Sequence, residues 1–146
     1  MKFHFNGYFF ENEKDAFEDV RKVFLKEFSI SENFLLHIHS VSDDYSKELN
    51  EHYFQKDYPT DVLTIPLYKD LASIHKLDKN KHEIIGDLFL NRKLIKKHAK
   101  KFTKTLTEEY QLVLVHGLLH LIGYSHNDPK KLSNIENTIL KKVWNE

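Results

Sequence analysis

His116 and His120 stand four residues apart, and His126 follows six residues later. On a helix, side chains at i and i+4 lie one above the other on the same face. Gly123, between the second and third histidines, can end that helix in the left-handed conformation without a Cβ penalty. The chain then turns, and His126 can swing back towards the other two. Three converging imidazoles with one position left open are the layout of a catalytic zinc site. One Zn2+ per chain is therefore expected, held by His116, His120 and His126. Core histidines bonded to backbone carbonyls are the competing reading; three at this spacing around a glycine stop favour the metal.

Residues 110–122 are apolar nearly all round, which marks a buried helix. Histidines there must lose water, and a buried polar group needs a partner. The spacing H-x-x-x-H-x-x-G-x-x-H is also the ligand skeleton of the metzincin peptidases. Those carry Glu directly after the first histidine as general base. Here that residue is Gly117, which accepts no proton, so a peptidase ranks third among the functional readings.

His116-Gly117-x-x-His120-Leu121-x-Gly123-Tyr124-x-His126 is similar to the signature of the YbeY family, bacterial metal-dependent endoribonucleases that mature ribosomal RNA. A second block, Leu49-Asn50, Tyr53, Lys56-Asp57 and Pro59-Thr60-Asp61-Val62-Leu63, resembles another segment of that family. A third is Gly86-Asp87 at the end of an apolar run. All three come in the family's order. The resemblance implies a zinc-dependent, single-strand-specific endoribonuclease of rRNA processing, acting at the 3′ end of 16S rRNA, with ribosomal RNA and the small subunit as partners. It implies that His116, Lys56 and Asp61 lie near the chemistry. Two residues depart from the pattern: Phe54 stands where the family has an Arg important for cleavage, and Ser125 where it has Asp.

The chain has 146 residues, the size of one domain, and 40% apolar composition is enough for a core. Basic and acidic residues number 22 each, so net charge identifies no partner. With no cysteine, a thiolate zinc site, a catalytic thiol and a disulfide-linked partner are excluded. That fits a cytoplasmic protein, as does the lack of an apolar signal-peptide core near Met1. No stretch approaches the ~20 apolar residues of a membrane span.

Aromatic-rich residues 3–10 predict a strand and residues 13–28 an amphipathic helix with Phe17, Val20, Phe24 and Phe28 on its core stripe. Residues 33–41 alternate as a strand, placing His37 and His39 on one face. That pair could ligate a second metal, but without a third ligand a partly exposed polar face is the better reading. Residues 43–54 predict a helix, 61–65 a short strand stopped by Pro66, and 84–90 an interior strand covered on both faces. The lysine-rich stretch 68–82 reads as a loop or short helical excursion. Thr105 and Glu108 form a capping box opening the metal helix, and residues 130–144 make the last helix, with Leu132, Ile135, Ile139, Leu140 and Val143 inward.

Residues 92–104 carry seven basic residues and no acidic one. At helical spacing the lysines form a solvated stripe, with Leu94, Ile95, Ala99 and Phe102 towards the core. Beside the resemblance to a ribonuclease, Arg92, Lys93, Lys97 and Lys100 read as a phosphate track, which would position RNA without reading its sequence. Together these elements predict a single α/β (α+β) domain over residues 1–146. About four mixed strands pack with about five helices, and the three-histidine site lies at the end of a buried helix. A second function from another class is a ribosome-associated RNA-binding factor whose zinc is structural and whose cleavage is weak or lost.

Overall fold

The structure, a computed structural model, describes residues 1–145. Its elements are β1 (Lys2–Asn6), α1 (Glu11–Phe28), β2 (Leu35–Ser40), α2 (Asp43–Phe54), β3 (Val62–Pro66), α3 (Leu71–His75), β4 (Ile84–Leu90), α4 (Arg92–Lys101), α5 (Leu106–Leu121) and α6 (Pro129–Trp144). The four strands form one mixed sheet in the order β1-β2-β4-β3. β1, β2 and β4 run parallel, and β3 lies antiparallel at the edge. An edge is where a strand ending in Pro66 is tolerated, because proline contributes no ladder donor.

Alternation decides the two faces. Leu36, Ile38, Leu88 and Leu90 point into a core shared with Phe17, Val20 and Phe24 of α1 and with α5. α5 buries Tyr110, Val113, Leu114, Val115, Leu118, Leu119 and Leu121. Each such side chain contributes roughly 1.5–3 kcal/mol, so this helix is a rigid mount for whatever its remaining positions carry. Thr105 Oγ1 accepts from the Glu108 N–H and Glu108 Oε1 from the Thr105 N–H, both at 3.1 Å, which is the expected capping box.

Several expectations change. β1 stops at Asn6 because Gly7 turns the chain at φ 88°, and Phe9 drops into the core. α1 starts two residues early, and Glu13 caps it by accepting from the Phe10 N–H at 2.7 Å. The lysine-rich stretch holds the short helical excursion expected as one of its two readings, α3, capped by Asp70; what changes is the count, six helices among the described residues instead of about five. β4 is interior in the sheet but not covered on both faces. Asp87 and Phe89 are half-buried on the face they share with His37 and His39. There His39 Nε2 lies 2.8 Å from Asp87 Oδ1 and the His39 ring stacks on Phe89. Phe102 is exposed, since α4 ends at Lys101 and Thr103 turns the chain at φ 54°.

Candidate metal centre

The last two turns of α5 aim His116 and His120 along the outer edge of β3. Helix and sheet approach closely there. A Cβ on Gly117 would lie 2.6 Å from Leu88 Cδ1 and 3.0 Å from Val62 Cγ2, and the Thr64 hydroxyl donates to the Gly117 carbonyl at 3.0 Å. Position 117 therefore faces the sheet, where a larger side chain would collide. The absent peptidase base is replaced by a contact the fold requires. Gly123 then takes φ 104° past the end of α5, and the turn brings His126 back.

The three rings converge. Ring centroids are 4.6 Å apart for His116 and His120, 4.4 Å for His120 and His126, and 5.5 Å for His116 and His126. One ring nitrogen from each lies within 4.8 Å of the others. The outward nitrogens are held: His120 Nδ1 is 2.7 Å from the Tyr124 carbonyl and His116 Nδ1 is 3.0 Å from Glu136 Oε2. A carbonyl and a carboxylate only accept, so both Nδ1 atoms carry protons. This leaves the two Nε2 atoms facing each other at 3.1 Å. In neutral rings those are two lone pairs directed at one point, an arrangement a cation stabilises. Burial holds His120 below the ordinary imidazole range, against the pull of the Tyr124 carbonyl. His126 is also lowered, by burial first and then by the charges of His116 and Lys56. Low imidazole pKa values favour the neutral, ligating form. The donor set thus fits a divalent ion of the zinc kind.

Across from the histidines, the end of α2 and the following loop close a cleft of about 430 Å³ lined by Phe54, Lys56, Asp61 and Thr64 as well as the triad. A buried polar network fixes this wall. Asn50 Nδ2 donates to the Tyr58 carbonyl at 2.9 Å, Ser46 Oγ accepts from the Thr60 N–H at 3.2 Å, and Asn91 Nδ2 donates to Asp43 Oδ1 at 2.6 Å. Phe54 is 47% exposed, so its ring is presented to solvent rather than packed. Lys56 is exposed and close enough for its charge to act on His126. Asp61 borders the cleft, but its Oδ2 lies 3.3 Å from His98 Nδ1 of α4. Ser125 accepts from the Asn127 N–H at 3.3 Å, securing the turn between the second and third histidines.

The basic stretch divides. Lys93, Lys97 and Lys100 are exposed. Arg92 does not join them: its Nε donates to the buried Glu13 Oε2 at 3.0 Å and its guanidinium lies over the Phe10 ring at 5.1 Å. It anchors the start of α4 to the start of α1 and is not free to meet a phosphate. Glu136 is the residue sequence reasoning missed. Its signal was a carboxylate on the inward stripe of α6, four residues after Leu132 and three before Ile139.

An α/β sheet flanked by helices carries three imidazoles that converge in a cleft beside an edge strand, a group that could hold a metal ion. A family profile described as endoribonuclease YbeY matches residues 6–143. Curated proteins named endoribonuclease YbeY are similar over most of the chain. The one from Thermotoga neapolitana is 30% identical, covering 91% of this chain and 81% of that protein. The one from Lactobacillus acidophilus is 36% identical, covering 80% and 71%. A solution structure of a Thermotoga maritima protein superposes with a TM-score of 0.63 at 25% identity, covering 99% of this chain and 90% of that one. The chain belongs to the endoribonuclease YbeY family.

Proposed function

We propose that this chain is a zinc-dependent, single-strand-specific endoribonuclease of ribosomal RNA maturation. It acts at the 3′ end of 16S rRNA in the cytoplasm, with the small ribosomal subunit as partner. Endoribonuclease activity itself follows from family membership. Among the described residues no helix is long and apolar enough to cross a membrane, which is consistent with that setting. The observation that carries the metal dependence is the pair of Nε2 atoms 3.1 Å apart, with both Nδ1 atoms committed to acceptors. Zinc bound by the triad would supply Lewis-acid chemistry, polarising a phosphodiester oxygen and stabilising developing negative charge.

The chain's own residues do the rest. Lys56 offers a point charge to a phosphate, and Phe54 an exposed ring on which an unpaired base can stack. Stacking requires an unpaired base, which supports single-strand specificity. Lys93, Lys97 and Lys100 extend a basic track along α4, whose His98 meets Asp61 at the cleft's end.

The test is cleavage of single-stranded and duplex RNA by chelator-treated protein before and after zinc is restored, together with 16S 3′ ends mapped in cells lacking the protein. Zinc-restored cleavage of the single strand and 3′-extended 16S rRNA are expected. Cleavage indifferent to chelator and intact in His120→Ala would reject the reading. The second reading, an RNA-binding factor with a structural metal, is favoured by Phe54 and is supported if rRNA is bound but never cut.

A further inference from the structure

A second group of side chains with ligating chemistry lies where α4, α5 and the residue before β3 meet. Asp61, His98 and Glu109 each bring one ligand atom within 4.8 Å of the other two. Glu109 is only 4% exposed, and its Oε2 is buried without a hydrogen-bond partner. The cation beside it, Lys104 Nζ, stands 3.8 Å away, beyond hydrogen-bond reach. A buried carboxylate oxygen left in that condition is costly. Burial pushes the Glu109 carboxyl up; Lys104 partly opposes this and the nearby Asp61 charge adds to it.

The geometry points to a second divalent-cation site, with the carboxylates of Asp61 and Glu109 and the imidazole of His98 as its ligands. A cation there would satisfy the orphaned Oε2, offset the repulsion between two carboxylates, and bind a ring nitrogen of His98 in place of the proton that Nδ1 directs at Asp61 Oδ2, releasing that proton to solvent. Two oxygens and one nitrogen make a harder donor set than three imidazoles, and carboxylate-rich sites suit manganese. The site is independent of the triad. Glu109 precedes His116 by seven residues, two turns of α5, so both lie on one stripe about 10 Å apart along the axis. That separation exceeds the ~3.5–4 Å of paired-metal catalysis. The ion's role would be to tie the wall that carries Lys56 and Asp61 to the start of α5, and to place positive charge at the far end of the cleft.

The test uses the purified full chain, stripped with chelator and titrated with manganese chloride. Binding is followed by loss of the free-ion paramagnetic resonance signal. The His116→Ala/His120→Ala variant, which lacks the triad, should still take up one saturable Mn2+ per chain. Adding Glu109→Gln should abolish that uptake. Because Glu109 is buried, Asp61→Asn on the same background is a second route at a more accessible position, and it should abolish uptake too; circular dichroism confirms that each variant folds. Two results would overturn the assignment: no Mn2+ bound by the triad-less variant, or uptake unchanged by both Glu109→Gln and Asp61→Asn. The first would leave the cluster as an ion-pair network of His98 with Asp61 and Lys104 with Glu109.

Discussion

Glu136 is the sharpest place to test how the triad is held. Its Oε2 accepts from His116 Nδ1 at 3.0 Å, and its side chain is 15% exposed, so the pair is largely shielded from water. The contact fixes the ring's orientation, keeps the proton on Nδ1 and raises the basicity of Nε2. A hydrogen bond to a charged group contributes roughly 1.5–3 kcal/mol when sheltered. At about 1.4 kcal/mol per decade, that corresponds to ~10- to 100-fold in metal affinity. Glu136→Gln keeps an acceptor oxygen but removes the charge, so a loss near tenfold is expected. Glu136→Ala removes both and should approach a hundredfold. The assay is competition for zinc against a chelator of known affinity, with far-ultraviolet circular dichroism to show that α6 is intact. Wild-type affinity in both variants would mean that His116 is oriented by α5 alone and that its Nδ1 contact with Glu136 does not prepare the ring to bind metal.

Four further outcomes are expected. His120 is held below its ordinary value, so the fold favours its neutral form. In chelated protein its contribution to stability is present above the unfolded value of ~6.5 and lost as pH falls through the folded one; melting temperature should drop on acidification below that point, and His120→Gln should flatten the drop. Gly117→Ala forces a methyl group to within 2.6 Å of Leu88 Cδ1 and should destabilise by about 1–3 kcal/mol in denaturant titrations; an unchanged midpoint would show that α5 can back away from the sheet. Phe54→Arg should raise turnover, by up to ~100-fold if an electrostatic stabiliser is what is missing, with metal content unchanged; if Lys56 already supplies that charge, Lys56→Ala instead cripples the native protein, and robust cleavage indifferent to both would remove this wall from the chemistry. Reversing Lys93, Lys97 and Lys100 to Glu should weaken binding of all RNA sequences alike and reduce the salt slope by about one for each phosphate that a lysine no longer neutralises; the same slope in wild type and variant would return the stripe to solvent.

Features that depend on local periodicity and fixed spacing could be read from the amino-acid order alone. A four-residue interval and a glycine stop place two imidazoles on one helix face and turn the third back, whatever surrounds them. The alternation of residues 35–40, the helix from Asp43 to Phe54 and the capping box at Thr105 were legible for the same reason, because backbone geometry over a few residues sets them. Tertiary structure decided which separated side chains meet. That Glu136 of α6 reaches His116 and that Arg92 is spent on Glu13 depends on how helices dock, across 20 and 79 residues of chain. The same holds for Asp61, His98 and Glu109, which come from three places in the sequence to one point. Sequence patterning marked β4 as covered on both faces because apolar residues fill most of it. The fold leaves Asp87 and Phe89 half-exposed beside His37 and His39, since the core helices leave that part of the second face open. Residue type sets what a side chain can do; the packing of distant elements sets which other side chain it does it with.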